Sequence, residues 1–249
     1  MPSRKLSRRR FLAGAVAGSS AVFEGFRADA RTISGEVPWA AGFANAPRAA
    51  TLGGGYQFFT AVEAAFIDAA VARLIPKDDL GPGAKEAGAT LFIDRQLAGS
   101  FGSGERWYMQ GPWPEGTKSQ GYQTRLAPAE LYRAGIKAVD AYCRKTFQER
   151  GFSSLTSDEQ DNVLSSLEKG EVALEGVKAE TFFDLLLQNT IEGFLSDPLY
   201  GGNCDMVGWK LIGFPGARYD YRPYVSQHNQ RLDLPPVGLL GRPGWNPPG

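Results

Sequence analysis

The stretch Ala179-Glu180-Thr181-Phe182-Phe183-Asp184-Leu185-Leu186-Leu187-Gln188-Asn189-Thr190-Ile191-Glu192-Gly193-Phe194-Leu195, followed by Ser196 and the pair Asp197-Pro198, decides the fold. Phe183, Leu186, Leu187, Thr190, Ile191 and Phe194 recur at spacings of three and four, the period of a helix that turns one face to a core. The spacing predicts a helix over 179–195, stopped by Asp197-Pro198.

The same reasoning extends outward in both directions. Thr156 with Glu159 three residues later is a capping box and opens a helix over 157–168. Pro128 stands at a favoured first-turn position, and Tyr132, Ile136, Val139, Cys143 and Phe147 continue the stripe, which predicts a helix over 128–147. A second capping box, Thr60 with Glu63, starts a helix over 58–75 with Phe59, Val62, Phe66, Ala70, Val71 and Leu74 inward and Pro76 as its stop. Between Gly81-Pro82-Gly83 and Gly99, a shorter helix over 84–97 turns Ala87, Leu91 and Phe92 inward.

Two long segments refuse regular structure. From Gly99 to Ala127 there are six Gly and two Pro, yet Phe101, Trp107, Tyr108, Trp113 and Tyr122 also fall here, and so aromatic a loop has a surface to cover. Residues 198–249 hold 17 Gly or Pro in 52 positions, too many for long helices or central strands, together with Tyr200, Trp209, Phe214, Tyr219, Tyr221, Tyr224 and Trp245. An extended tail that lays aromatic rings on its own core or on a partner fits both facts. The expected fold is mainly α: one helical domain of about five helices over 58–249, with a long irregular aromatic loop and an extended Gly/Pro-rich C-terminal tail. Residues 31–57, with Pro38, Pro47 and Gly53-Gly54-Gly55, read as a linker or extended arm.

The first thirty residues read as a targeting segment. Arg4, Lys5, Arg8, Arg9, Arg10 and Arg27 face only Glu24 and Asp29. Arg8, Arg9, Phe11 and Leu12 within Ser7-Arg8-Arg9-Arg10-Phe11-Leu12 match a twin-arginine export signal, and Ala28-Asp29-Ala30 has the small-x-small form of a cleavage site. The expectation is a chain exported to the periplasm by the twin-arginine machinery, with its mature form starting near Arg31. The full sequence of 249 residues balances 27 Lys and Arg against 27 Asp and Glu. Without residues 1–30, 21 basic and 25 acidic residues remain, a mild negative charge of about −4 that offers no basic field for nucleic acid. No later segment approaches the roughly 20 apolar residues of a membrane span, so attachment to a membrane would come through a partner.

The chemical inventory is sparse. Two Cys and one His exclude a Cys-rich metal module, and no C-x-x-C-H is present for a c-type haem. There is no G-x-G-x-x-G after a predicted strand, no P-loop and no G-x-S-x-G. Gly99-Ser100-Phe101-Gly102-Ser103-Gly104 has the wrong glycine order for a phosphate cradle. His228 lies in the irregular tail and reads as solvated or structural. Glu192 and Asp197 read better as surface decoration and a turn residue than as an acid–base pair. Cys143 and Cys204 would be free to pair with each other, or with another chain, in an oxidising compartment; a buried thiol and an interface thiol is the competing reading. No catalytic, cofactor-binding or metal-ligating residue is expected in this chain. Trp107, Trp113, Tyr200 and Trp209 lie in irregular segments, where they either anchor a partner interface or cover the helical core.

The run from Glu192 through Asp197-Pro198-Leu199-Tyr200-Gly201-Gly202-Asn203, then Val207-Gly208-Trp209-Lys210-Leu211-Ile212-Gly213-Phe214-Pro215-Gly216, resembles the gluconate 2-dehydrogenase subunit 3 family. Upstream pieces add to it: Leu74-Ile75-Pro76 leading into Gly81-Pro82-Gly83-Ala84 and Phe92-Ile93-Asp94, Gly111-Pro112-Trp113 with Gly121-Tyr122-Gln123, and Glu130-Leu131-Tyr132-Arg133. The resemblance implies a non-catalytic small subunit of a periplasmic, membrane-associated dehydrogenase complex. A partner subunit would carry FAD and oxidise a sugar acid or related polyol, and a multihaem cytochrome c subunit would carry haem c and pass electrons to the quinone pool. Under that implication this chain binds no cofactor, the chemistry and the substrate belong to the partner, and the leader escorts the folded partner through export. The alternative is a free-standing periplasmic enzyme or ligand-binding domain built on the aromatic loop around Trp107 and Trp113.

Overall fold

The computed structural model describes residues 55–114, 116–117, 120–218, 221–230 and 234–239. The expected leader, with Arg8, Arg9, Phe11 and Leu12, and the arm up to residue 54 lie outside them. Seven α-helices carry the described fold: α1 Ala61–Leu74, α2 Ala89–Ala98, α3 Ser100–Ser103, α4 Pro128–Thr146, α5 Ser157–Glu168, α6 Ala179–Leu195 and α7 Val207–Ile212. The described residues contain no strand, only isolated bridges at Asp78–Gly81 and Gly216–Val237.

Helix starts follow local chemistry. Thr60 and Thr156 each accept the N–H of the Glu three residues on, and that Glu accepts the Thr N–H in return, so both predicted capping boxes form. At α4, Pro128 occupies the first turn and the Glu130 carboxylate accepts the Ala127 N–H at 2.9 Å. The expected helix over 84–97 begins later, at Ala89, because residues 84–88 form a turn that Gly88 closes with a left-handed φ of 82°. That conformation is open to glycine and costly for most side chains.

Helix α6 is the hub and packs against α1, α2, α4, α5 and α7. Its inward face is Phe182, Phe183, Leu185, Leu186, Asn189, Thr190, Gly193 and Phe194. Leu187 and Ile191, expected inside, sit a residue further round: Leu187 is half-buried and Ile191 is 43% exposed. Val62, on the first turn of α1, is likewise 68% exposed. Leu91 is half-buried, and Phe92, Ile93 and Leu97 form the inward face of α2. Gly135 allows α4 to meet α6, since a Cβ there would lie 2.2 Å from the Phe182 ring. Around that contact Tyr132, Phe59, Phe66, Phe152 and Phe182 form one aromatic cluster, with centroid distances from 4.7 to 6.4 Å.

Bidentate Arg73–Asp161 and Arg150–Glu159 pairs tie α1 to α5 and fasten the chain ahead of α5 to that helix. The tail turns back on itself, with Ala217 N–H donating to the Val237 carbonyl at 2.7 Å, and its Leu239 N–H reaches the Asp197 carboxylate at 2.7 Å. The far end of the described tail is thereby fixed to the C-terminal end of α6.

Candidate functional site

The irregular loop after α3 closes over the first half of α6 and leaves an open cleft of about 1330 Å³ between them. One wall is aromatic, with Trp107, Tyr108, Trp113 and Tyr122, and Met109 lies among them. The other is the outer strip of α6, Glu180, Thr181, Asp184 and Gln188, with Glu168 at the end of α5. The aromatic wall is built rather than scattered. Trp107 meets Phe101 edge-on at 5.6 Å and Tyr122 at 4.6 Å, and the Tyr122 hydroxyl donates to the Leu126 carbonyl at 2.7 Å. Burial, helped by the charge of Glu130, pushes the Tyr122 phenol well above its ordinary value, so it stays a neutral donor. Gln123 fastens the loop to itself by donating to the Thr117 carbonyl at 2.9 Å.

The four aromatic residues singled out from sequence fall in three environments. Trp107 and Trp113 share the cleft, both half-buried. Tyr200 is 49% exposed at the other end of α6. Trp209 is only 5% exposed: its indole N–H donates to the Leu195 carbonyl at 2.7 Å, and its ring takes Phe214 edge-on at 5.2 Å. It lies against its own chain and pins α7 to the end of α6. The outer side of α7 then presents Leu211, Ile212 and Phe214 to solvent.

Cys143 and Cys204 are not joined to each other. Cys143 is fully buried in α4, where burial and then the charge of Asp140 push its thiol up to about 12. Cys204 lies in a different part of the fold, against Gly88, with its N–H donating to the Ala87 carbonyl at 2.8 Å. The segment Gly99–Gly104 forms the tight helix α3, in which Gly102 sits so close that a Cβ would meet the Leu97 carbonyl oxygen at 1.9 Å. Gly102 thus serves packing, and Gly104 ends the helix with a left-handed φ of 68°. Both Asp197 carboxylate oxygens are engaged by backbone, one by Leu199 and one by Leu239, which makes it a turn residue. Among the described residues no group of three or more His, Cys, Asp or Glu is placed to hold a metal ion, and no helix is long and apolar enough to cross a membrane.

Sequence reasoning missed two structural polar centres. Asp94, completely buried, accepts the backbone N–H groups of Gln57 at 2.7 Å, Phe58 at 2.9 Å and Phe59 at 2.8 Å. Its position directly after Phe92-Ile93 and one helical turn before Leu97 was the available signal. Asn203, also fully buried, donates to the Ser196 carbonyl at 2.8 Å and accepts the Gly208 N–H at 2.8 Å. With Asp205 and Met206 it adopts a left-handed conformation, and together they turn the chain into α7.

The gluconate 2-dehydrogenase subunit 3 family model matches residues 61–216, from the first residue of α1 to the glycine that bridges Val237. Neither a curated protein nor a solved structure gives a significant match.

Proposed function

The chain belongs to the gluconate 2-dehydrogenase subunit 3 family, and from that premise we propose that it is a non-catalytic small subunit of a periplasmic, membrane-associated flavin-dependent dehydrogenase complex. In this reading it escorts a folded catalytic partner through twin-arginine export, using Arg8, Arg9, Phe11 and Leu12, and then stabilises that partner. FAD sits on the catalytic partner and haem c on a multihaem cytochrome subunit, which accounts for the membrane association of a chain whose described helices cannot cross one.

The observation that carries the reading is the family match over all seven described helices and the aromatic loop. Exposed Tyr200, Leu211, Ile212 and Phe214 support it, because large apolar residues gathered near one end of a fold suit a protein contact. Trp107 and Trp113 are a second candidate contact, while Trp209 would act by holding α7 in place. The test is purification of the exported protein under mild conditions. Co-purified flavin and haem absorption, with dehydrogenase activity on a sugar acid or polyol, is expected; a colourless monomer overturns the accessory role.

The cleft favours a second reading, a free-standing periplasmic ligand-binding domain or enzyme built on Trp107 and Trp113. A colourless monomer whose tryptophan fluorescence responds to a small ligand would select it.

A further inference from the structure

We infer that the cleft between the aromatic loop and α6 binds a neutral oligosaccharide, laid lengthwise along the helix. The inference rests on the cleft of the second reading above and supplies its ligand class; it is equally compatible with an accessory role.

The aromatic side is held by its own chain. Tyr122 is fixed by its bond to Leu126 and meets the Trp107 ring, and the Trp113 ring folds back so close on Gly111 that a Cβ there would stand 3.0 Å from it. Rings already held in place lose little freedom when a ligand arrives. Yet neither the Trp107 nor the Trp113 indole N–H has a hydrogen-bond partner among the described residues.

The opposite side is polar and in register. Glu180, Asp184 and Gln188 follow one another by four residues, so they share a strip of α6 that runs about 12 Å along the cleft. All three are exposed, and the Glu180 and Asp184 carboxylates have no hydrogen bond or ion pair among the described residues. Gln188 donates to Glu192, while its amide oxygen accepts from no described residue.

Together the two sides narrow the ligand. A purely apolar molecule would cover the Glu180 and Asp184 carboxylates without offering them a donor, which is unfavourable. A simple ion gains nothing from the aromatic side and meets no field of one sign, since Glu168, Glu180 and Asp184 share the lining with Arg125 and Lys178. What fits is a molecule with an apolar face and a rim that both donates and accepts. A sugar ring is built in this way. Its C–H faces lie on aromatic rings, and each rim hydroxyl donates to a carboxylate or amide oxygen while accepting from an indole N–H. A carboxylate on the sugar would be brought beside Glu180 and Asp184, so the neutral form is favoured. The cleft is open, and its volume of about 1330 Å³ exceeds the roughly 300–1,000 Å³ of sites for one small molecule, so a chain of rings fits it better than a single ring.

The test is calorimetric titration of the full chain with cellohexaose and with the chitin hexasaccharide. Saturable binding of at least one is expected, about tenfold or more tighter than that of glucose or gluconate, because a single ring uses only part of the strip. Trp107→Ala should weaken it about tenfold, and Asp184→Ala, at an exposed position, about fivefold. Thermal melting checks that each variant folds, and if Trp107→Ala does not, Trp113→Ala and Asp184→Ala carry the test. Absence of binding to both hexasaccharides, binding indifferent to Asp184→Ala, or gluconate or decaproline bound as tightly as the hexasaccharides would each overturn the proposal. Such a failure is distinct from failure of the accessory role, which is read from co-purified flavin and haem.

Discussion

The Phe59 backbone N–H donates to the buried carboxylate of Asp94 at 2.8 Å, across 35 residues of sequence. With Gln57 and Phe58 as further donors, one side chain on α2 fixes the path by which the chain enters α1. It also seats Phe59 against Tyr132, at a centroid distance of 6.1 Å, so the entry segment becomes part of the core.

Replacing Asp94 by Ala leaves three backbone donors without their acceptor, two of them on half-buried or buried residues. Bonds to charged groups and orphaned buried donors are each worth about 1–3 kcal/mol, so Asp94→Ala should cost at least about 3 kcal/mol in denaturant unfolding. Asp94→Asn retains one acceptor oxygen and should cost less. A loss below about 0.5 kcal/mol for the Ala variant would show that the entry segment is not held by this residue.

Helix α6 supplies a paired test of its orientation. Leu186 is fully buried and Leu187 half-buried on the adjoining flank. Leu186→Ala should cost about 2–5 kcal/mol, the range for a core leucine, and Leu187→Ala distinctly less. Equal losses in urea titrations of the two variants would mean that the inward face is centred between them.

How much of this was legible from the sequence depends on the kind of signal. Helices α5 and α6 run over 157–168 and 179–195 as expected, because a capping box and an Asp-Pro stop are local chemistry that tertiary packing does not override. Periodicity located the apolar side of α6 but not its centre. Several helices pack around it, so its inward face is broad, and the edge residues Leu187 and Ile191 look the same in sequence as the central Leu186. Asp94 and Asn203 escaped because polar residues are read as outward-facing, and only their distant backbone partners reveal them as internal. Helix α7 was hidden in a Gly/Pro-rich tail, where Gly208 lies so near the Phe194 carbonyl oxygen that a Cβ would stand 2.2 Å from it. There the glycine serves close packing rather than breaking a helix.

Glu159 gives a pH-dependent prediction. The Arg150 guanidinium beside it, then the Thr156 N–H and hydroxyl, lower its carboxyl to about 2 from an ordinary value of 4.5. A folded-state value below the unfolded one means a contribution fully present above about 4.5 and lost as pH falls toward 2. Glu159→Gln keeps an acceptor for the cap but removes the charge, so the wild type should melt higher at pH 7. That gap should close progressively between about pH 4.5 and 2. A gap of constant size over this range would assign the effect to packing instead.

If the leader is read by the twin-arginine receptor, changing both Arg8 and Arg9 to Lys should retain the protein in the cytoplasm, and its partner's dehydrogenase activity with it. Cell fractionation with an activity assay on each fraction measures both. Normal periplasmic activity in the double variant would remove the escort role while leaving family membership untouched.

The aromatic residues separate contact from support, because the structure places them in unlike environments. Trp209 is hydrogen-bonded to Leu195 and nearly enclosed, so Trp209→Ala should lower the melting temperature of the isolated subunit, through the lost ring and the orphaned carbonyl. Tyr200 is half exposed at the other end of α6 from the cleft, and Tyr200→Ala should leave the melting temperature within about a degree or two, as for most surface changes. Its cost should appear in recovery of the complex, together with that of Leu211→Ala and Ile212→Ala on the exposed side of α7. Trp107→Ala and Trp113→Ala probe the cleft in the same two assays. Loss of the partner with unchanged melting in the Tyr200 group, and not in the cleft pair, assigns the interface to the α7 end. The opposite pattern assigns it to the cleft, and intact assembly in all five variants would move the search to the outward faces of α4 and α5.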